Sequence, residues 1–114
     1  LKTGTFKLKL DSNPDEIQQL YIQAGRPRPL YRALRLEKRL GLKKVRLYYK
    51  REDLSPTGSH KVNTALAQAY YAAEEGKTTL VTETGAGQWG TALAYAASLM
   101  DMDCVIFWIR SVYD

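Results

Sequence analysis

Apolar and polar positions alternate along the chain at different periods, and the changes of period mark its elements. A short Lys-alternating segment, Thr5 to Leu10, gives way to a turn and cap cluster, Asp11-Ser12-Asn13-Pro14, which launches a helix over Asp15 to Gln23. Gly25 stops that helix. Arg26-Pro27-Arg28-Pro29 reads as a connector, because the residue before each proline is pushed to an extended conformation. Leu30, Leu34, Leu36, Leu40 and Leu42 then recur at roughly helical spacing, predicting a second helix over Tyr31 to Leu40 that Gly41 closes. Val45 to Lys50 is β-branched and aromatic and reads as a strand. Beyond it the pattern alternates: loop Arg51 to Gly58, helix Ser59 to Glu75 ended by Gly76, strand Thr78 to Thr82, glycine-rich turn Gly85 to Gly90, helix Thr91 to Met100, strand Asp103 to Ile109. Strand, helix, strand, helix, strand predicts an α/β unit with three parallel strands, over 45–114, behind a helical segment over 1–44. Three strands make a narrow parallel sheet with an uncovered edge, and the chain lacks an initiator Met, so it is expected to be part of something larger.

The 114 residues suit one domain, and 45% hydrophobic content with 25% charge suits a packed, soluble one. The longest apolar run, Cys104 to Ile109, is six residues, against the ~20 that cross a bilayer, and no signal segment opens the chain. A cytoplasmic protein without membrane contact is expected. The single cysteine, Cys104, excludes an internal disulfide, and the single histidine, His60, without cysteine partners leaves no zinc pattern, so no metal site is expected.

The net charge of +5 is unevenly spread: from Arg26 to Arg51 there are eleven Lys or Arg against Glu37 alone. A block of that kind can grip a polyanion. Here the cations interleave with the leucines as on the wet face of an amphipathic helix, so a nucleic-acid-binding module is the weaker reading.

In open parallel sheets ligands gather at the carboxyl ends of the strands, and the polar and glycine-rich loops of this chain fall at those ends. After the first strand come Thr57-Gly58-Ser59-His60-Lys61-Val62-Asn63, and after the second Glu83-Thr84-Gly85-Ala86-Gly87-Gln88-Trp89-Gly90. Lys61 falls in the first turn of a helix, where the positive end of the dipole disfavours an ammonium and raises the share of neutral, nucleophilic amine. A lone lysine of this kind otherwise points to solvent. His60, Asn63 and the first free amides of the same helix make a seat for an anion or a polar ring substituent. Gly85, Gly87 and Gly90 spell G-x-G-x-x-G, but Glu83 beside them would repel a pyrophosphate and the next strand ends in Arg110, against a dinucleotide site. The same turn could hold a substrate carboxylate on the amides of Gly85 to Trp89 with Glu83 as general acid or base, or its glycines could serve geometry alone. No G-x-x-x-x-G-K-[ST] string exists, which excludes a Walker-type site.

Lys50-Arg51-Glu52-Asp53-Leu54, Thr57 to Asn63 and Glu83 to Gln88, with Gly25-Arg26-Pro27 and Pro29-Leu30-Tyr31-Arg32 upstream, together resemble the tryptophan synthase beta family, pyridoxal-phosphate enzymes of fold type II. The likeness runs from about Gly25 onward, and Trp89, where the family commonly has His, resembles its divergent beta-like group. The resemblance implies part of a three-layer, Rossmann-like parallel-sheet domain. It implies that Lys61 forms the imine with the cofactor aldehyde and moves protons at the substrate α-carbon, that His60 lies near the cofactor phosphate and Asn63 near its ring, and that Glu83 is the catalytic acid. Thr84, Gly85, Ala86, Gly87 and Gln88 would bind the substrate carboxylate. The implied reaction joins L-serine and indole into L-tryptophan and water, in a homodimer with an alpha subunit as a further partner. Because the family's phosphate-binding glycine loop comes from later sequence, these residues are not expected to be active alone. Another pyridoxal-phosphate β-replacing enzyme or a serine or threonine dehydratase is the neighbouring reading.

Overall fold

The computed structural model of the protein describes residues 14–110; the expected segment Thr5 to Leu10 and the cap residues Asp11 to Asn13 lie outside them. Helix α1 (Asp15–Gln23) begins as the sequence predicts, with the Pro14 carbonyl accepting the N–H groups of Ile17 and Gln18 at 3.1 and 3.2 Å. Asp15 and Glu16 in its first turn complement the dipole.

The leucine-rich stretch departs from expectation. Instead of one helix over Tyr31 to Leu40, the chain forms a strand, β1 (Leu30–Arg32), and then a shorter helix, α2 (Leu34–Arg39). Strand β2 (Tyr48–Lys50) pairs with β1 antiparallel, Leu30 opposite Lys50, Tyr31 opposite Tyr49 and Arg32 opposite Tyr48. The aromatic rings explain why the ribbon wins over the leucine period: Tyr31 and Tyr49 meet edge to face across the strands, centroids 6.1 Å apart, a pairing that a helix would forgo.

Glu37, 5% exposed, locks the ribbon to α2. Its carboxylate accepts from Arg32 Nη2 at 2.8 Å and Nε at 3.1 Å, and from the Leu47 backbone N–H at 2.7 Å. The Arg32 hydrogen bonds, then the Leu47 N–H, hold this carboxyl below the usual carboxylate range.

With its ladder spent on β1, β2 is not the first strand of a three-stranded parallel sheet. Among the described residues the parallel sheet has two strands, β3 (Thr79–Thr84) and β4 (Asp103–Trp108), in register from Thr79 opposite Asp103 to Thr84 opposite Trp108. Between them runs α4 (Gln88–Leu99), the crossover of a βαβ unit, and before them α3 (Lys61–Glu74). The protein is therefore α/β, as expected, with its antiparallel ribbon outside the parallel sheet.

The buried residues of α3, Val62, Ala65, Leu66 and Ala69, fall at i, i+3, i+4 and i+7. They share one core with Ala92, Leu93 and Ala96 of α4 and Ala24 behind α1. Small side chains let α3 and α4 approach closely. On the sheet, Leu80 and Cys104 face that core, and burial pushes the Cys104 thiol above its ordinary value, as befits a packing residue. Val81, Val105 and Phe107 alternate with them onto the other face and are exposed. No helix of the described residues is long and apolar enough to cross a membrane.

A depressed carboxyl pKa contributes stability that is present above the unfolded value of about 4 and lost as pH falls through the folded one. Glu37→Gln is expected to lower the melting temperature at neutral pH, and the gap to the unaltered protein should close as pH falls below about 4. A gap that stays constant down to that pH would mean that the carboxylate charge contributes nothing to holding the ribbon.

Candidate functional site

The loop that delivers Lys61 is braced by two buried serines. Ser55 Oγ donates to the Ser59 carbonyl at 2.7 Å and accepts the Ser59 N–H at 2.9 Å, closing the turn over Pro56, Thr57 and Gly58. A single 3-10 turn, Glu52–Leu54, leads into it from β2. The helix expected from Ser59 begins at Lys61, with His60 at the cap position and no side-chain cap; Ser59 Oγ meets only the Lys61 N–H, at a long 3.4 Å. Lys61 is thus the first residue of α3.

Helix α4 begins three residues earlier than predicted, inside the glycine-rich turn. Gly87 caps it at φ +102°, left-handed backbone that L side chains rarely adopt, and a Cβ there would stand 2.6 Å from Trp108 Cζ2. Gly90 then lies within the helix because α4 crosses the sheet so closely that a Cβ would come within 2.9 Å of Ile106 Cγ2. The Gly90 N–H is taken by Thr84 Oγ1 at 3.3 Å, while the first-turn amides of Gln88 and Trp89 have no acceptor within the helix.

These two helix starts meet. Lys61 Nζ donates to Gln88 Oε1 at 2.7 Å, joining residues 27 apart in the chain. Around that bond lies a cavity of ≈ 270 Å³ lined by Lys61, Glu83, Thr84, Gly85, Ala86, Gln88 and Trp89. The structure therefore gathers into one place most of the residues that the sequence singled out on two separate loops. Gly87 is buried beneath the turn and does not line the cavity. His60 is exposed and Asn63 is turned to another partner, and neither lines the cavity.

Trp89 is a lining residue whose side chain the sequence marked only as a departure from a motif. Its Nε1–H donates to Thr82 Oγ1 at 2.8 Å, and the Thr82 hydroxyl donates on to the Glu83 carbonyl at 3.2 Å, so the indole is tied to the strand end that presents Glu83. The spacing Thr82, Glu83, Trp89 was in view; that a hydroxyl and an indole N–H would meet across the turn was not.

A primary amine, a carboxylate, a neutral amide and the open amides of a helix start can do specific chemistry together. The amine can attack a carbonyl or carry a proton, the carboxylate can supply or take one, and the amides can seat an anion. A larger concavity, ≈ 760 Å³, lies on the ribbon between Arg32 and Tyr49, but leucine and tyrosine side chains line most of it, with no nucleophile or acid. The smaller cavity is the candidate site because it holds the reactive groups.

A family model described as pyridoxal-phosphate dependent enzyme matches residues 21–112. The tryptophan synthase beta chain 2 of Methanothermobacter thermautotrophicus is 59% identical over 97 residues, 85% of this chain and 22% of that protein. The tryptophan synthase beta chain of Pyrobaculum aerophilum is 54% identical over 103 residues, 90% of this chain and 25% of that protein. The beta chain 2 of Pyrococcus furiosus is 54% identical over 101 residues, 89% of this chain and 22% of that protein. The chain spans about a quarter of the length of these curated relatives.

Gly87→Ala combines left-handed strain of about 1–2 kcal/mol with a clash against the Trp108 ring. It is expected to lower stability by about 2 kcal/mol or more in denaturant melts, with Gly85→Ala, whose Cβ would meet nothing, changing stability far less. Equal melts for the two variants would refute the packing of this turn against β4.

Proposed function

Because the chain belongs to the pyridoxal-phosphate-dependent enzymes, we propose that it is part of a tryptophan synthase beta-like lyase that joins L-serine and indole into L-tryptophan and water. The observation that carries this reading is one cavity lined by Lys61, Glu83, Gly85, Ala86 and Gln88, with the Lys61 amine bonded to the Gln88 amide.

The residues present fit the cofactor. Lys61 offers an amine whose partner, the Gln88 amide, is neutral and gives way without leaving a charge behind. Lys61 would hold the cofactor through its aldehyde carbon, and His60 at the α3 start would serve its phosphate. When bound, pyridoxal phosphate supplies an electron sink for the pair released at the substrate α-carbon.

The chain's own residues do the rest. The turn Gly85 to Gln88, with the Thr84 hydroxyl, seats the carboxylate of the amino-acid substrate on its amides, so that its α-proton comes within reach of the Lys61 amine. Lys61 takes and returns that proton. Glu83, exposed at the mouth of the cavity, protonates the departing serine hydroxyl and then takes the proton displaced from indole. Trp89, held by Thr82, walls the cavity on the side of Glu83 and limits the water that could intercept the reaction. Association with a second copy and with an alpha-type chain belongs to the same reading; the beta-chain names of the relatives and the exposed apolar face of β3 and β4 support it.

In the full natural chain supplied with pyridoxal phosphate, L-serine and indole, L-tryptophan should accumulate. Glu83→Gln should lower kcat by about 10²–10⁴-fold with the cofactor still bound, and Lys61→Ala should reduce turnover to background. Consumption of L-serine at the same rate with and without indole, yielding pyruvate and ammonia, would establish a dehydratase instead.

A further inference from the structure

Asn63 faces away from the cavity, and what it holds there is informative. Successive residues of a helix step by about 100°, so Lys61 and Asn63, two apart, leave opposite sides of the first turn of α3. Lys61 reaches Gln88, while the Asn63 Nδ2–H donates to Glu52 Oε2 at 3.3 Å. The same Glu52 oxygen lies 3.8 Å from Arg28 Nε. Arg28 is 3% exposed, and Glu52 is its ion-pair partner among the described residues. Its Nε and Nη2, like Asn63 Oδ1, make no hydrogen bond there.

Arg28 itself cannot move freely. Gly25 packs so close that a Cβ on it would stand 2.7 Å from Arg28 Nη1, and Lys50 Nζ donates to the Arg28 carbonyl at 2.6 Å. A buried guanidinium whose ion-pair partner is one carboxylate keeps that carboxylate in place, since losing it would leave an uncompensated charge. The carboxylate in turn holds Asn63, and the Tyr21 hydroxyl donates to the Asn63 carbonyl at 3.0 Å from the other direction. Buried Val62 and the Ser55–Ser59 brace hold this end of α3 on the core side, and with no side-chain cap on the helix the Glu52 and Tyr21 contacts to Asn63 hold it on the side away from the cavity.

We propose that Glu52 and Asn63 are positioning residues for Lys61: the buried Arg28 fixes Glu52, Glu52 fixes Asn63, and Asn63 fixes the turn from which the Lys61 amine enters the cavity. Asn63 thus acts from behind the helix and touches neither cofactor nor substrate. The proposal rests on the reading of Lys61 as the cofactor lysine.

The test is the rate at which Lys61 is captured by pyridoxal phosphate and borohydride in the full natural chain, followed by peptide mass and normalised to the folded fraction from circular dichroism. Asn63→Ala leaves the Arg28–Glu52 pair intact and should slow capture at Lys61 by about tenfold or more, because small displacements of a reacting group are amplified in rate. Glu52→Asp keeps the charge beside Arg28 but shortens its reach to Asn63, and should slow capture in the same direction while remaining folded. A merely structural role would lower the melting temperature of both variants and leave capture per folded molecule unchanged; that result overturns the positioning claim while the cofactor reading stands. Absence of capture at Lys61 in the unaltered chain would overturn the cofactor reading and the proposal with it.

Discussion

Ala65 and Ala69 on α3 and Ala92 and Ala96 on α4 share one core with none of their surface left to solvent, and these small side chains let the two helices pack closely. That closeness has a directional consequence. Both helices start at loops near the carboxyl end of β3, so packing them side by side brings Lys61 and Gln88 within hydrogen-bond reach. Larger residues in the seam would part the helix starts before they disturbed either loop. The meeting of Lys61 and Gln88 is set by a packing contact about one to two turns away from it.

The second constraint is the close passage of α4 over the sheet. Gly87 and Gly90 stand where any side chain would meet Trp108 or Ile106, so two of the three glycines of the G-x-G-x-x-G string are demanded by the sheet beneath them. In the proposed reading the turn binds instead through the amides that the lack of a side-chain cap leaves open at the start of α4. Packing and binding thus draw on the same few residues for different reasons.

Much of this was legible in the sequence, and the failures have identifiable causes. The alternation after Arg51 gave α3, β3, α4 and β4 to within about three residues because each is long and bounded by glycine or a polar turn. The stretch from Tyr31 to Lys50 misled because its leucine period is helical while its tyrosines favour strands, and only the partner strand decides between them. Lys61, Glu83 and the glycine turn could be named from spacing and residue type. The role of Trp89 depended on a hydroxyl two strand residues before the turn, and the Arg28, Glu52 and Asn63 cluster joins segments 24 and 11 residues apart, which no local pattern records. Buried charge is the hardest feature to foresee, since Arg28 within Pro27-Arg28-Pro29 looks like a solvated connector residue.

The central claim is that the meeting of two helix starts presents the Lys61 amine to the cofactor. A crystal structure of the full natural chain grown with pyridoxal phosphate measures this most directly. The account predicts continuous density from Lys61 Nζ to the cofactor, with the Gln88 amide no longer accepting from that nitrogen and the turn Gly85 to Gln88 open beside it. Cofactor density elsewhere, with Lys61 still bonded to Gln88 as at 2.7 Å here, would contradict it.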